Sequence, residues 1–168
     1  YYNGKFIKRD IEKAINYFTK AAKHDHAESQ YYLGLIYYEG KYIKRDINKS
    51  IYYLTQSANK NNSDAQCLLG LIYYEGKYIK RDINKAIKYF KQASDQNNSY
   101  SQFYLGEIYY EGIYITRDIQ KSIHYFTLAA NQNNTEALYN LGTIYLSDQI
   151  IKNYDIEKAI QYFKMAAD

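Results

Sequence analysis

The chain has 168 residues, 46% of them hydrophobic, and its 22 Lys+Arg against 18 Asp+Glu leave a formal net charge of +4. A balance that close to neutral does not by itself mark a nucleic-acid or anionic-membrane binder. One cysteine, Cys67, excludes an intrachain disulfide, and no apolar run approaches the length of a membrane-spanning helix.

Taken in order, Tyr1-Tyr2-Asn3-Gly4 aligns with Tyr37-Tyr38-Glu39-Gly40, so the chain is expected to enter mid-repeat, as a piece of something longer. Residues 33–49 then recur letter for letter as 69–85, and a glycine marker falls at Gly34, Gly70, Gly106 and Gly142, a period of 36 residues. A fixed period of this size predicts units that bury their apolar faces against their neighbours. The expected organisation is one array over 1–168: the tail of a truncated repeat at 1–26, then repeats at 27–62, 63–98, 99–134 and 135–168. The 24 Tyr, with no Trp or Pro, suit half-buried surfaces, where a ring packs while its hydroxyl reaches water.

Each unit reads as two helices. The first is predicted over 27–39, with copies beginning at Ser63, Ser99 and Thr135. Leu33, Gly34, Ile36 and Tyr37 form its packing face, and Gly34 lets a partner helix approach closely. Ser63 with Gln66, and Ser99 with Gln102, have the spacing of a capping box. Gly40 stands where a left-handed residue ends a helix. The second helix follows Asp46, an N-cap candidate repeated at Asp10, Asp82, Asp118 and Asp155. Ile47, Ser50, Ile51, Leu54, Ser57 and Ala58 give it one buried face at helical spacing. Asn61-Asn62, Asn97-Asn98 and Asn133-Asn134 mark the return turns, Asn tolerating left-handed backbone. A strand reading fails, because the apolar period is helical throughout. Two places are irregular: the apolar face of 10–22 is expected to be exposed, and 147–154 carries one extra residue, with Asp148 where Gly112 stood.

The stretch A-E-S-Q-Y-Y-L-G-L-I-Y-Y-E-G followed by D-I-N-K-S-I-Y-Y-L-T-Q-S-A resembles the Sel1-like repeat, a relative of the tetratricopeptide repeat. Leu33, Gly34, Tyr37, Gly40, Asp46, Lys49, Tyr53 and Ala58 fall at that family's marked positions. The resemblance implies an all-α fold, a right-handed α-solenoid of antiparallel helix pairs, and a scaffold or adaptor role. Such arrays are often joined to other domains, protein kinases included, and some serve membrane-protein degradation at the endoplasmic reticulum. The family loop usually has a second glycine and often a proline, where Tyr42 and Lys44 stand here. The cysteine-rich branch bridges its helices with disulfides, and this chain lacks those pairs.

Signs of catalysis are absent. His24 and His26 flank Asp25 in a loop, too few groups for a zinc site, and His124 reads as surface. No phosphate loop, nucleophile elbow or paired-carboxylate motif occurs. The chain therefore reads as non-enzymatic, without cofactor, metal or small-molecule substrate. Of the sequons at Asn48, Asn61, Asn97 and Asn133, the last three are one repeated turn, and in an Asn-rich chain they read as coincidence. A cytoplasmic location is expected, with the lumen of the endoplasmic reticulum as the alternative.

Charge segregation is the functional signal. The four first helices hold no Lys or Arg and seven acids, leaving 22 cations against 11 acids elsewhere, a net +11. At 100° per residue, Glu28, Tyr32, Leu35 and Glu39 lie opposite the packing face. The matching stripes are Asp64, Leu68, Leu71, Glu75; then Tyr100, Tyr104, Glu107, Glu111; then Glu136, Asn140, Thr143, Ser147. The resemblance puts first helices on a concave side, so these residues are expected to form an acidic, aromatic groove for a basic, partly apolar peptide of a protein partner. The alternative is nucleic acid or anionic membrane on the loop cations Lys44, Arg45, Lys80, Arg81 and Arg117. It is weaker because Asp46, Asp82 and Asp118 sit beside them. A structural spacer attached to a distant catalytic domain is the third reading.

Overall fold

Short polar residues decide where this chain turns. The computed structural model describes residues 11–147 and 155–167, and among them lie nine helices and no strand. They are α1 (Ile11–Lys23), α2 (Ala27–Glu39), α3 (Ile47–Ala58), α4 (Ser63–Glu75), α5 (Ile83–Ser94), α6 (Ser99–Glu111), α7 (Ile119–Ala130), α8 (Thr135–Ser147) and α9 (Ile156–Ala167). The all-α architecture with paired helices in each repeat is the one expected. The irregular loop lies outside the described residues from 148 to 154.

Four of the second helices start as predicted, while the fifth candidate cap, Asp10, lies outside the described residues. The carboxylates of Asp46, Asp82 and Asp118 each accept the backbone N–H three residues on, at 3.0 Å, and Asp155 does so at 2.9 Å. The backbone hydrogen bond from that lysine is the first cause holding Asp46 and Asp82 below the usual carboxylate range. At Asp118 the side-chain bond to Lys121 comes first. First helices end at Gly40, Gly76 and Gly112, with φ of 61°, 62° and 63°. The return turns use Asn61, Asn97 and Asn133 at φ of 67°, 61° and 59°, with Asp25 at 62° in the first turn.

The capping box does not form. The caps of α2, α4 and α6 are His26, Asn62 and Asn98, one residue earlier, each accepting the N–H three residues on. Gln66 is 2% exposed and cannot fold back to the helix start. It points its amide across the turn, Nε2 donating to Ala58 O at 3.2 Å. Gln30 and Gln102 do the same to Ala22 O and Ser94 O. Each glutamine thereby adds a second donor to a helix-end carbonyl that already accepts a backbone N–H of the return turn, and ties the turn to the start of the next helix.

Contacts divide the chain between Tyr89 and Phe90, within α5. In the first unit α1 packs on α2, α2 on α3 and α3 on α4, while α2 also touches α4. Its core includes Leu54, Ala65, Leu69 and Ile72. In the second, α6 packs on α7, α7 on α8 and α8 on α9, with α6 touching α8. There the core gathers Phe126, Leu138, Leu141 and Ile144. α1 is less bare than expected: Ala14 is buried, and Phe18 stacks on Tyr32 with ring centres 5.2 Å apart.

The glycine marker sets how closely a pair can pack. A Cβ on Gly34 would lie 2.5 Å from Leu54 Cγ, and one on Gly106 would lie 2.5 Å from Phe126 Cδ1. The approach lets a serine of the partner helix reach backbone: Ser50 Oγ donates to Gly34 O at 2.8 Å and Ser122 Oγ to Gly106 O at 2.9 Å.

One buried group differs between the units. Gln102 Oε1 accepts from Gln132 Nε2 at 2.7 Å, whereas Gln30 Oε1 is buried with no hydrogen-bond partner. Lys60 stands where Gln132 does, and its ammonium instead meets Asp25 Oδ1 at 3.0 Å. Lys60→Gln should supply the missing donor. An unsatisfied buried acceptor costs about 1–3 kcal/mol, whereas an ion pair to a fully exposed carboxylate contributes little. Thermal melts should therefore show a raised midpoint, by about 2–4 °C for each kcal/mol gained. A lowered midpoint would mean that the Asp25 pair outweighs the orphaned oxygen.

Candidate binding face

A helix without lysine or arginine has no internal cation to neutralise its carboxylates. The four helices α2, α4, α6 and α8 all share that composition. Of the stripe residues, Glu28, Glu39, Asp64, Glu75, Tyr100, Glu111 and Glu136 are exposed. Tyr32, Leu35, Leu68, Leu71, Tyr104, Glu107, Asn140 and Thr143 are half-buried, so exposed residues, all but Tyr100 acidic, flank a sunken middle.

In the first unit the sunken side chains serve the fold as well as the surface. Tyr32 stacks on Phe18, and Leu68 packs against the Leu54–Leu69 cluster. At the rim, Tyr38 donates its hydroxyl to Glu75 Oε2 at 3.2 Å. Burial, with the Glu75 charge beside it, pushes the Tyr38 hydroxyl up to about 12.

The second unit holds a recess. Tyr104 stacks on Phe90 at 5.1 Å, so one face of its ring is already taken. Between α6 and α8 lies a cavity of about 410 Å³, lined by Phe103, Glu107, Glu136, Tyr139 and Asn140, with Ala166 of α9 at its edge. Glu107 occupies the register position of Leu35, Leu71 and Thr143. No hydrogen-bond donor or cation among the described residues pairs with its carboxylate. Burial, and secondarily the charge of Glu111 one turn on, raises its pKa to about 7. Phe103 and Tyr139 were not singled out from sequence. They fall one position before the stripe, at the place of Tyr31 and Cys67, and only the meeting of α6 with α8 brings them to the recess.

The loop arginines are engaged elsewhere. Arg45 donates through Nε to Tyr38 O at 2.7 Å and through Nη2 to Glu39 O at 2.8 Å, and its guanidinium lies 4.5 Å from the Tyr78 ring centre. Arg81 Nη2 donates to Glu75 O at 3.1 Å, and Arg117 Nε to Tyr110 O at 2.8 Å. They close the ends of the first helices. Lys49, Lys85 and Lys121 are drawn to their capping aspartates. His26 is an N-cap, accepting from Ser29 N at 3.2 Å, and His124 is exposed with its ring against Tyr125. Among the described residues no helix is long and apolar enough to cross a membrane.

The sequence profile of the Sel1 repeat matches residues 1–26, 27–62, 63–98, 99–134 and 135–168. Among solved structures, a Sel1 repeat protein from Oxalobacter formigenes superposes with a TM-score of 0.88 at 28% identity. That match covers 99% of this chain and 68% of the other. The protective antigen c5321 of uropathogenic Escherichia coli, which displays an SLR fold, gives 0.90 at 27% identity over 99% of this chain and 35% of its own. Helicobacter pylori cysteine rich protein B gives 0.60 at 26% identity over 80% of this chain and 97% of its own. No curated protein is a significant match by sequence.

Proposed function

The chain belongs to the Sel1 repeat family, and on that premise we propose that its first-helix faces hold a basic, partly apolar segment of a protein partner. The family generally provides scaffolds for protein–protein interaction and is generally non-catalytic. What carries the finer reading is one observation: α6 and α8, which contain no lysine or arginine, border an open recess where the half-buried Glu107 carboxylate, unpaired among the described residues, lies beside Phe103 and Tyr139. A basic segment complements that field, and its apolar residues cover Phe103 and Tyr139. The engagement of the loop arginines with helix carbonyls tells against a loop surface for nucleic acid or membrane.

The test is selection of displayed random peptides on the full chain. Sequences with Lys or Arg interspersed with apolar residues should be enriched, and their binding should weaken with salt, since exposed charges are screened beyond about 10 Å at 0.1 M. A Glu75→Lys, Glu107→Lys, Glu111→Lys variant should lose them, and Tyr104→Ala should bind them less well. If that variant binds as before while Arg45→Glu and Arg81→Glu abolish binding, the face lies on the loops instead.

A further inference from the structure

We propose that the recess between α6 and α8 is a subsite for one arginine side chain, with Glu107 as the residue that selects it. This rests on the reading of the first-helix face given above and names the chemistry of its deepest point.

The argument begins with register. At the place of Glu107 two other repeats carry Leu35 and Leu71, so the fold there accepts an apolar side chain at half burial. A carboxylate in such a position gives up hydration without an internal return. Glu111, one turn along α6, adds a like charge beside it, and Glu136 lines the same recess from α8. A pKa of about 7 is the physical mark of a charge whose partner is missing. A group held this way at the wall of a cleft is a functional candidate, because the chain's own stability would favour leucine.

The walls then choose among cations. Phe103 and Tyr139 offer ring surface, and Tyr139 is 59% exposed although it sits at the cavity. A guanidinium is planar and weakly hydrated, lies flat on an aromatic ring and meets a carboxylate with two parallel N–H donors. An ammonium is a compact, strongly hydrated point charge that loses more on entering a partly closed space. The cavity, about 410 Å³, falls at the lower end of the roughly 300–1,000 Å³ typical of ligand sites. That suits one long side chain with an apolar neighbour, not a helix or a folded loop.

The probe is n-butylguanidinium chloride, titrated at matched ionic strength into the full ¹⁵N-labelled chain, with n-butylammonium chloride as comparison. Amide shifts should cluster at residues 103–107 and 136–140, and the guanidinium should bind several-fold more tightly than the ammonium. Glu107→Gln, which keeps the side-chain shape, should abolish the clustered shifts, whereas Glu111→Gln should weaken them only two- to three-fold. Shifts spread evenly over all acidic stretches, equal affinity of the ammonium, or an undiminished response in Glu107→Gln would each overturn the subsite. If selected basic peptides bind and Glu107→Gln leaves them unaffected, the wider face stands and this subsite falls. If no basic peptide is selected and butylguanidinium still seats at Glu107, the subsite stands without the peptide.

Discussion

Gly106→Leu should lower the stability of the second unit by about 2–4 kcal/mol. The first Cβ atom alone would sit 2.5 Å from Phe126 Cδ1, and Phe126 is fully buried in the core that joins α6, α7 and α8. The ring has no free side to move toward, so α6 and α7 must separate. Overpacking of this kind costs about 1–3 kcal/mol. Separation would also break the bond from Ser122 Oγ to Gly106 O, worth about 1 kcal/mol more. Urea unfolding should show the loss, and hydrogen exchange should quicken first in α6 and α7. Gly106→Ala should fall between the two. An unchanged midpoint for the leucine variant would mean that this helix face does not bear on Phe126.

Glu107→Gln should make the chain more stable at pH 8 and no different at pH 4. The folded-state pKa of about 7 lies above the ordinary 4.5, so the fold favours the protonated carboxyl. That contribution is complete below pH 4.5 and is lost as the pH rises through 7. Glutamine does not titrate and escapes the loss. Each pKa unit corresponds to about 1.4 kcal/mol, but solvent still reaches the carboxylate, and a gain of roughly 1–2 kcal/mol is expected at pH 8. Melting curves for both proteins between pH 4 and 8 should diverge as the pH rises. Parallel curves would show that Glu107 ionises normally and that the recess is wetter than its lining implies.

The elements were legible in the sequence because their ends obey local rules. Asp46, Gly40 and Asn61 act through their own backbone neighbourhood, and spacing alone places them. The capping box failed for the opposite reason. Ser63 and Gln66 satisfy the pattern, but Asn62 stands one residue earlier with a better acceptor, and Gln66 is claimed by a carbonyl across the turn. The same limit applies to Arg45, which reads as a loop cation until the carbonyls of Tyr38 and Glu39 come within its reach. Helical periodicity identified the stripe containing Glu107. It gave direction around the helix but not depth, so the burial of that carboxylate and the approach of Phe103 and Tyr139 were beyond it.

The side-chain bonds that knit the helices together span short stretches of sequence: Ser50 to Gly34 is 16 residues, Gln132 to Gln102 is 30, and Tyr38 to Glu75 is 37. Each interaction is thus complete within about one repeat step. A gene that gains or loses one whole copy by unequal exchange would leave every surviving contact with its partner, whereas loss of a single helix would strand a glycine and its facing aromatic. Residues 33–49 and 69–85, identical letter for letter, show how alike two copies remain. Copy number is therefore the dimension in which this chain can change most cheaply, and substitutions at single places such as Glu107 are how one copy becomes different from the next.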